Sequence, residues 1–213
     1  MMKGLVEQLL RTWLSTPHVE VGEKATQALS DLLAVDCDKI GQGLLWKRIF
    51  QDRETYGLLF SLCSLETTGT DEGELDERQK SLAQGRLLRV LPRLAVLDFH
   101  AISHTAFPDV EERYSLHDGE HGLLFFAGLH MVDKEDMLMH ITLIDFYAEL
   151  LNELSVTEPT FPTMQLLASL LEKAVRSDTT MAKSLEAMAT AETSSPELVE
   201  LLRNLSRYTL VLR

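Results

Sequence analysis

One segment limits the folds open to this chain more than any other. On a helix with Met137 at zero and roughly 100° per residue, residues 134–154 place apolar side chains on two opposite sides. Met137, Ile141, Ile144, Ala148 and Leu151 form one side, and Met139, Leu143, Phe146, Tyr147 and Leu150 form the other. Only a narrow arc stays polar: Glu135, Thr142, Asp145 and Glu149. A helix on the surface of a compact domain shows a broader polar face. The pattern therefore predicts a helix held between neighbours, with one ridge open. That is the place of the inner helix in a stack of helix pairs, and the open ridge is the candidate protein-binding surface.

The rest of the chain follows the same period. Valine and isoleucine are sparse, leucine is abundant, and alternating apolar and polar stretches are short, so strand signals are nearly absent. Helical spacing predicts helices over 3–15, 19–34, 42–51, 54–65, 76–91, 94–103, 122–131, 134–154, 162–176, 179–190 and 196–212. Thr16-Pro17, Thr160-Phe161-Pro162 and Ser195-Pro196 are helix-start signals, a capping hydroxyl with a proline where no donor is needed. Residues 66–77 read as an acidic, mobile loop or an acidic contact for a basic partner, and 107–121 as a second irregular stretch.

A weak repeat accompanies these helices. Apolar or small residues recur at offsets of zero, four, seven and eleven in Val21, Ala25, Ala28 and Leu32, and again in Met137, Ile141, Ile144 and Ala148. Leu198, Leu202 and Leu205 continue the pattern, with Thr209 as its polar lapse. Each stripe follows a short turn, and the first two follow another apolar helix, which is the unit of HEAT and armadillo arrays. A single pair cannot cover its own apolar face, so pairs stack. The expected fold is all-α, an α-solenoid of HEAT/armadillo-like helix pairs over residues 1–213.

Charge narrows the partners. The net charge of −13 repels polyanions, which argues against nucleic acid and anionic membrane surfaces and favours a basic partner. Residues 122–151, the most hydrophobic region, are interrupted by Asp133-Lys134-Glu135-Asp136, and residues 1–14 lack a secretory pattern. Cys37 and Cys63 sit among leucines outside any CxxC and read as buried, reduced thiols. A soluble protein of the cytoplasm or nucleus is expected.

Catalytic signals are weak. His117-Asp118-Gly119-Glu120-His121 matches the H-x-x-E-H pattern of one class of zinc hydrolases. That chemistry needs both imidazoles on one helix turn, and Asp118-Gly119 favours a turn instead. His100 and His104, four apart, face one way and would need His117 or His121 to complete a metal site. His130 and His140 read as partly buried core histidines with a hydrogen-bond partner. Arg86, Arg89 and Arg93 form a basic stripe, read as a solvated face paired with nearby acids or as an edge for an acidic partner. No phosphate-binding loop or nucleophile elbow is present, and no carboxylate pair stands apart in a setting that raises a pKa. No enzymatic activity, cofactor or metal is expected.

Three blocks carry a likeness to a known family: Arg86 to Ile102, Gly122 to Ala127 and His130 to Phe146, within about residues 82–151. They resemble the filamentous-fungal members of a HEAT-repeat family, that of the yeast chaperone that assembles the base of the proteasome regulatory particle. Its members were first named DNA mismatch-repair proteins, and the animal counterpart is proteasome non-ATPase regulatory subunit five. The resemblance implies an α-solenoid whose concave face grips the C-terminal domain of a proteasomal ATPase subunit, delivers it, and leaves. A repair-linked adaptor without enzymatic activity is the alternative that the older family name suggests. Family members are longer, and Met1-Met2-Lys3 and Tyr208 to Arg213 lack end signals, so a portion of a longer array is expected.

Overall fold

A computed structural model describes residues 2–37, 43–65, 75–117, 119–157, 159–176, 178–191 and 194–208. Among these the regular structure is helical, with no strand. The helices run α1 Met2–Ser15, α2 Val19–Cys37, α3 Leu44–Phe50, α4 Arg53–Cys63, α5 Glu77–Leu97, α6 Phe99–Ser103 and α7 Pro108–Glu111. A 3-10 turn, Glu112–Tyr114, leads to α8 Gly122–Phe125, which widens into a π turn, Phe126–His130. Then come α9 Met137–Ser155, α10 Phe161–Arg176, α11 Thr179–Thr190 and α12 Pro196–Leu205.

Helix α5 is the axis of the arrangement. Asp76 and Gln79 start it with a reciprocal capping box, each side chain accepting the other's backbone N–H. The sequence predicts a break between residues 91 and 94, at Pro92, but α5 runs through it. A proline removes one backbone donor and pushes on the preceding turn. Here Leu88, Leu91, Leu94 and Ala95 are buried on both sides of it, so packing carries the helix through the proline. The chain breaks instead at Asp98, which ends α5 and accepts from Ala101 N–H to start α6.

Helices α1, α2 and α4 lie against α5 on one side of the molecule, and α9 makes with α5 the most extensive helix contact. Helices α10 to α12 pack beyond α9 and the π turn. The core is continuous from Leu10, Trp13 and Leu14 in α1, through Leu87 and Leu91 in α5, to Tyr147 and Leu150 in α9 and Leu171 in α10.

Buried polar groups tie the helices at fixed registers. Arg86, 7% exposed, donates from Nη1 to the carbonyls of Trp13 and Leu14 and from Nη2 to that of His18, closing the end of α1. Gly22 makes room for it, since a Cβ there would land on the guanidinium. Trp13 Nε1 donates to Thr26 Oγ1 at 2.8 Å, and Gln84 bridges the carbonyls of Cys63 and Met131. The Tyr147 hydroxyl donates to the Gly128 carbonyl, at the π turn, at 3.0 Å.

Three expectations are corrected. Helix α2 buries Gly22, Thr26, Leu29, Ser30 and Leu33, while Val21, Ala28 and Leu32 of the expected stripe face solvent. The Trp13 bond to Thr26 and the packing of the Arg86 side chain on Gly22 select that face over the more apolar one. Cys63 is buried, and burial raises its thiol pKa, but Cys37 is exposed, its thiol reaching the Leu97 carbonyl at 3.5 Å. Helix α12 ends at Leu205 rather than 212, and residues 66–74 and 209–213 lie outside the described residues.

Candidate functional site

Helix α9 begins three residues later than its apolar pattern, because Asp136 caps it by accepting from Leu138 and Met139 N–H. Its Met139, Leu143, Phe146, Tyr147 and Leu150 side is buried, as is Leu151. The opposite side is not covered throughout. Met137 is 77% and Leu138 72% exposed, Ile141 is half exposed, and Ile144 and Ala148 are half-buried. The helix is thus held firmly on one side and left bare at the start of the other.

Between α2, α5 and α9 lies a groove of about 590 Å³. Three of the four ridge residues, Thr142, Asp145 and Glu149, line it, and Glu135 stands outside. Met139, Phe146 and Leu88 give it an apolar floor, and Val19 and Leu138 stand half exposed or more at its edges. Gly85 adds no side chain to the α5 wall.

The charges are divided across the groove. Asp145 and Glu149 stand on the α9 wall, and Arg78, Arg86 and Arg89 on the α5 wall. Partial burial and then the neighbouring Glu153 carboxylate raise the Glu149 carboxyl above its ordinary value, with Asp145 adding to the effect and Arg89 opposing it. The carboxylates that the sequence presents as unremarkable therefore include one in a crowded like-charge setting. On the opposite wall Arg89 pairs with Glu23 at 3.2 Å, and nearby Arg93 pairs with Asp31 at 3.0 Å. The basic stripe is thus a set of ties to α1 and α2, two solvated and one, Arg86, buried.

The H-x-x-E-H residues do not share a helix turn. Gly119 takes φ +80°, and His121 is extended, preceding α8. Asp118 lies outside the described residues. Glu120 is committed to holding the fold: Oε1 accepts from Lys173 Nζ at 2.7 Å, and Oε2 lies 2.7 Å from His130 Nε2. Burial pushes its carboxyl up, but the Lys173 and His130 bonds outweigh that and hold it below the ordinary value. His130 thus has the hydrogen-bond partner expected of it. So does His140, whose Nε2 is 2.8 Å from Asp178 Oδ2. His100 and His104 stack with ring centroids 3.9 Å apart. No three metal-ligating side chains are grouped for an ion among the described residues.

The irregular stretch hides one residue that periodicity does not reveal. Glu111, 2% exposed, ends α7, and its Oε1 accepts from the Tyr56 hydroxyl at 2.6 Å and Gly122 N–H at 2.8 Å. Gly122 has φ +80°, and a Cβ there would strike the backbone of Ile102 and Ser103. Only two adjacent acids in a polar run, Glu111-Glu112, marked the place in the sequence.

No described helix is long and apolar enough to cross a membrane. Comparison with protein-family models, with characterised proteins and with solved structures finds no match.

Proposed function

We propose that the chain is a protein-binding scaffold without catalytic activity, an α-solenoid of HEAT type that grips a partner in the α2–α5–α9 groove. The observation that carries this reading is the groove itself. It combines an apolar floor, exposed apolar edges at Leu138 and Val19, and the acidic ridge Thr142, Asp145 and Glu149. Exposed apolar surface rimmed by polar groups marks interaction sites and ligand-binding grooves. The order of packing supports the solenoid: α1, α2 and α4 against α5, α5 against α9, and α9 against α11 and α12.

The partner suggested by the family resemblance is the C-terminal domain of a proteasomal ATPase, and the role is that of an assembly chaperone in the cytoplasm or nucleus. The test is direct binding of the purified chain to the C-terminal domain of each proteasomal ATPase in turn. One domain is expected to bind, with affinity lost at least tenfold on Leu138→Asp or Asp145→Arg. Binding to none of them would overturn the chaperone assignment. Binding unaffected by either substitution would move the surface away from this groove.

A further inference from the structure

Another cavity, about 300 Å³, opens between the α7 segment and the turn before α8. Glu111, Glu112, His117, Glu120 and His121 are among its lining residues. Glu120 has both oxygens engaged by Lys173, His130 and His117 N–H. Glu111 does not. Its Oε1 is taken by Tyr56 and Gly122, but Oε2 has no hydrogen-bond partner among the described residues. The nearest ion-pairing atom is His121 Nδ1, 3.7 Å away and beyond hydrogen-bond reach, on a side chain that is 54% exposed.

A carboxyl oxygen that is buried and unpaired is costly, and a native fold keeps such a group where something else completes it. We propose that this cavity binds a primary alkylammonium group, with Glu111 Oε2 as its anchor and Glu112 beside it, in the place that the His121 imidazole overlies. A single unpaired oxygen selects the ligand class. A guanidinium binds best through two parallel bonds to both oxygens of one carboxylate, and Oε1 is already filled. An ammonium is a compact charge with three donors, which one oxygen and the Glu112 carboxylate of the same cavity suit. The two sources of that chemistry are a lysine side chain of a protein partner and a free polyamine. The site lies apart from the groove and does not depend on the scaffold reading.

The test is calorimetric titration in an amine-free buffer with Nα-acetyl-lysine-N-methylamide, cadaverine and, as the uncharged counterpart, 1-pentanol. Saturable binding of an amine with none of the alcohol is expected. The tighter ligand assigns the source: the lysine derivative a partner side chain, cadaverine a free polyamine. Glu111→Gln keeps an oxygen for Tyr56 and Gly122 and turns the free oxygen into a donor, so binding should fall at least tenfold. His121→Ala uncovers Oε2 and should tighten binding several-fold. Absence of saturable amine binding to both the parent and His121→Ala, or equal affinity for amine and alcohol, would overturn the proposal, and neither result depends on Glu111→Gln folding.

Discussion

At the scale of single residues, the fold turns on polar side chains that reach across helices. Gly22→Ala is expected to destabilise by about 1–3 kcal/mol, because the new Cβ meets the Arg86 guanidinium at the close of α1. Combined with Arg86→Met, the two losses should sum to less than their separate values in urea denaturation, the sign of a shared contact. Glu120 gives a pH signature. Its folded carboxyl ionises below the ordinary value of 4.5, so its contribution is present above that pH and is lost as pH falls through the lower, folded value. Glu120→Gln should cost about 1.5–3 kcal/mol at pH 7. Its deficit against the parent should shrink at pH 3; an equal deficit at both pH values would contradict the ion-pair account. Neither Arg86 nor Glu120 was legible in the sequence as a buried group. Arginine at helical spacing with other arginines looks solvated until the carbonyls of another helix are known to face it, and Glu120 sat inside a pattern that pointed to zinc.

At the scale of elements, the helices themselves were legible and their faces were only partly so. Helix α11 is where its spacing placed it, and α9 and α12 have the expected buried leucines. In α2 the apolar count favoured Val21 and Leu32, but the Trp13 hydrogen bond to Thr26 and the Arg86 side chain lying on Gly22 chose the Gly22–Thr26–Leu29 face. Such bonds depend on residues far away in the chain and leave no period behind. The π turn was equally hidden, since residues 122–131 look uniformly apolar. Its widened register leaves the Gly128 carbonyl to be met by the Tyr147 hydroxyl, which supports a specific expectation. Tyr147→Phe should lower stability by about 1–3 kcal/mol, the cost of an unpaired buried acceptor. A Cβ on Gly128 would lie 2.6 Å from that hydroxyl, so Gly128→Ala should cost less in the Tyr147→Phe background than in the parent.

At the scale of the molecule, the two-sided apolarity of residues 134–154 was the informative signal, and its outcome gives α9 one covered side and one left bare at its start. One side of α9 built the core; Met137, Leu138 and Ile141 stayed in solvent beside the groove. Replacing Met137 and Leu138 by serine should leave stability within about 0.5 kcal/mol, as for surface sites. It should also lower binding of a hydrophobic dye and any self-association seen by light scattering. A large loss of stability would mean that these residues are covered. The candidate ridge was legible for three of its four members because a helix period fixes which side chains share a wall; Glu135 fell away because Asp136 ends the helix first.

The position of α5 also sets a timetable for synthesis. Helices α1 to α4 leave the ribosome before their central support exists, with the carbonyls of Trp13 and Leu14 still waiting for Arg86. At roughly 5–20 residues per second, the wait between the end of α4 and the end of α5 lasts on the order of seconds. During that interval the leading third of the nascent chain carries a greasy flank whose partners in α5 have not yet been made.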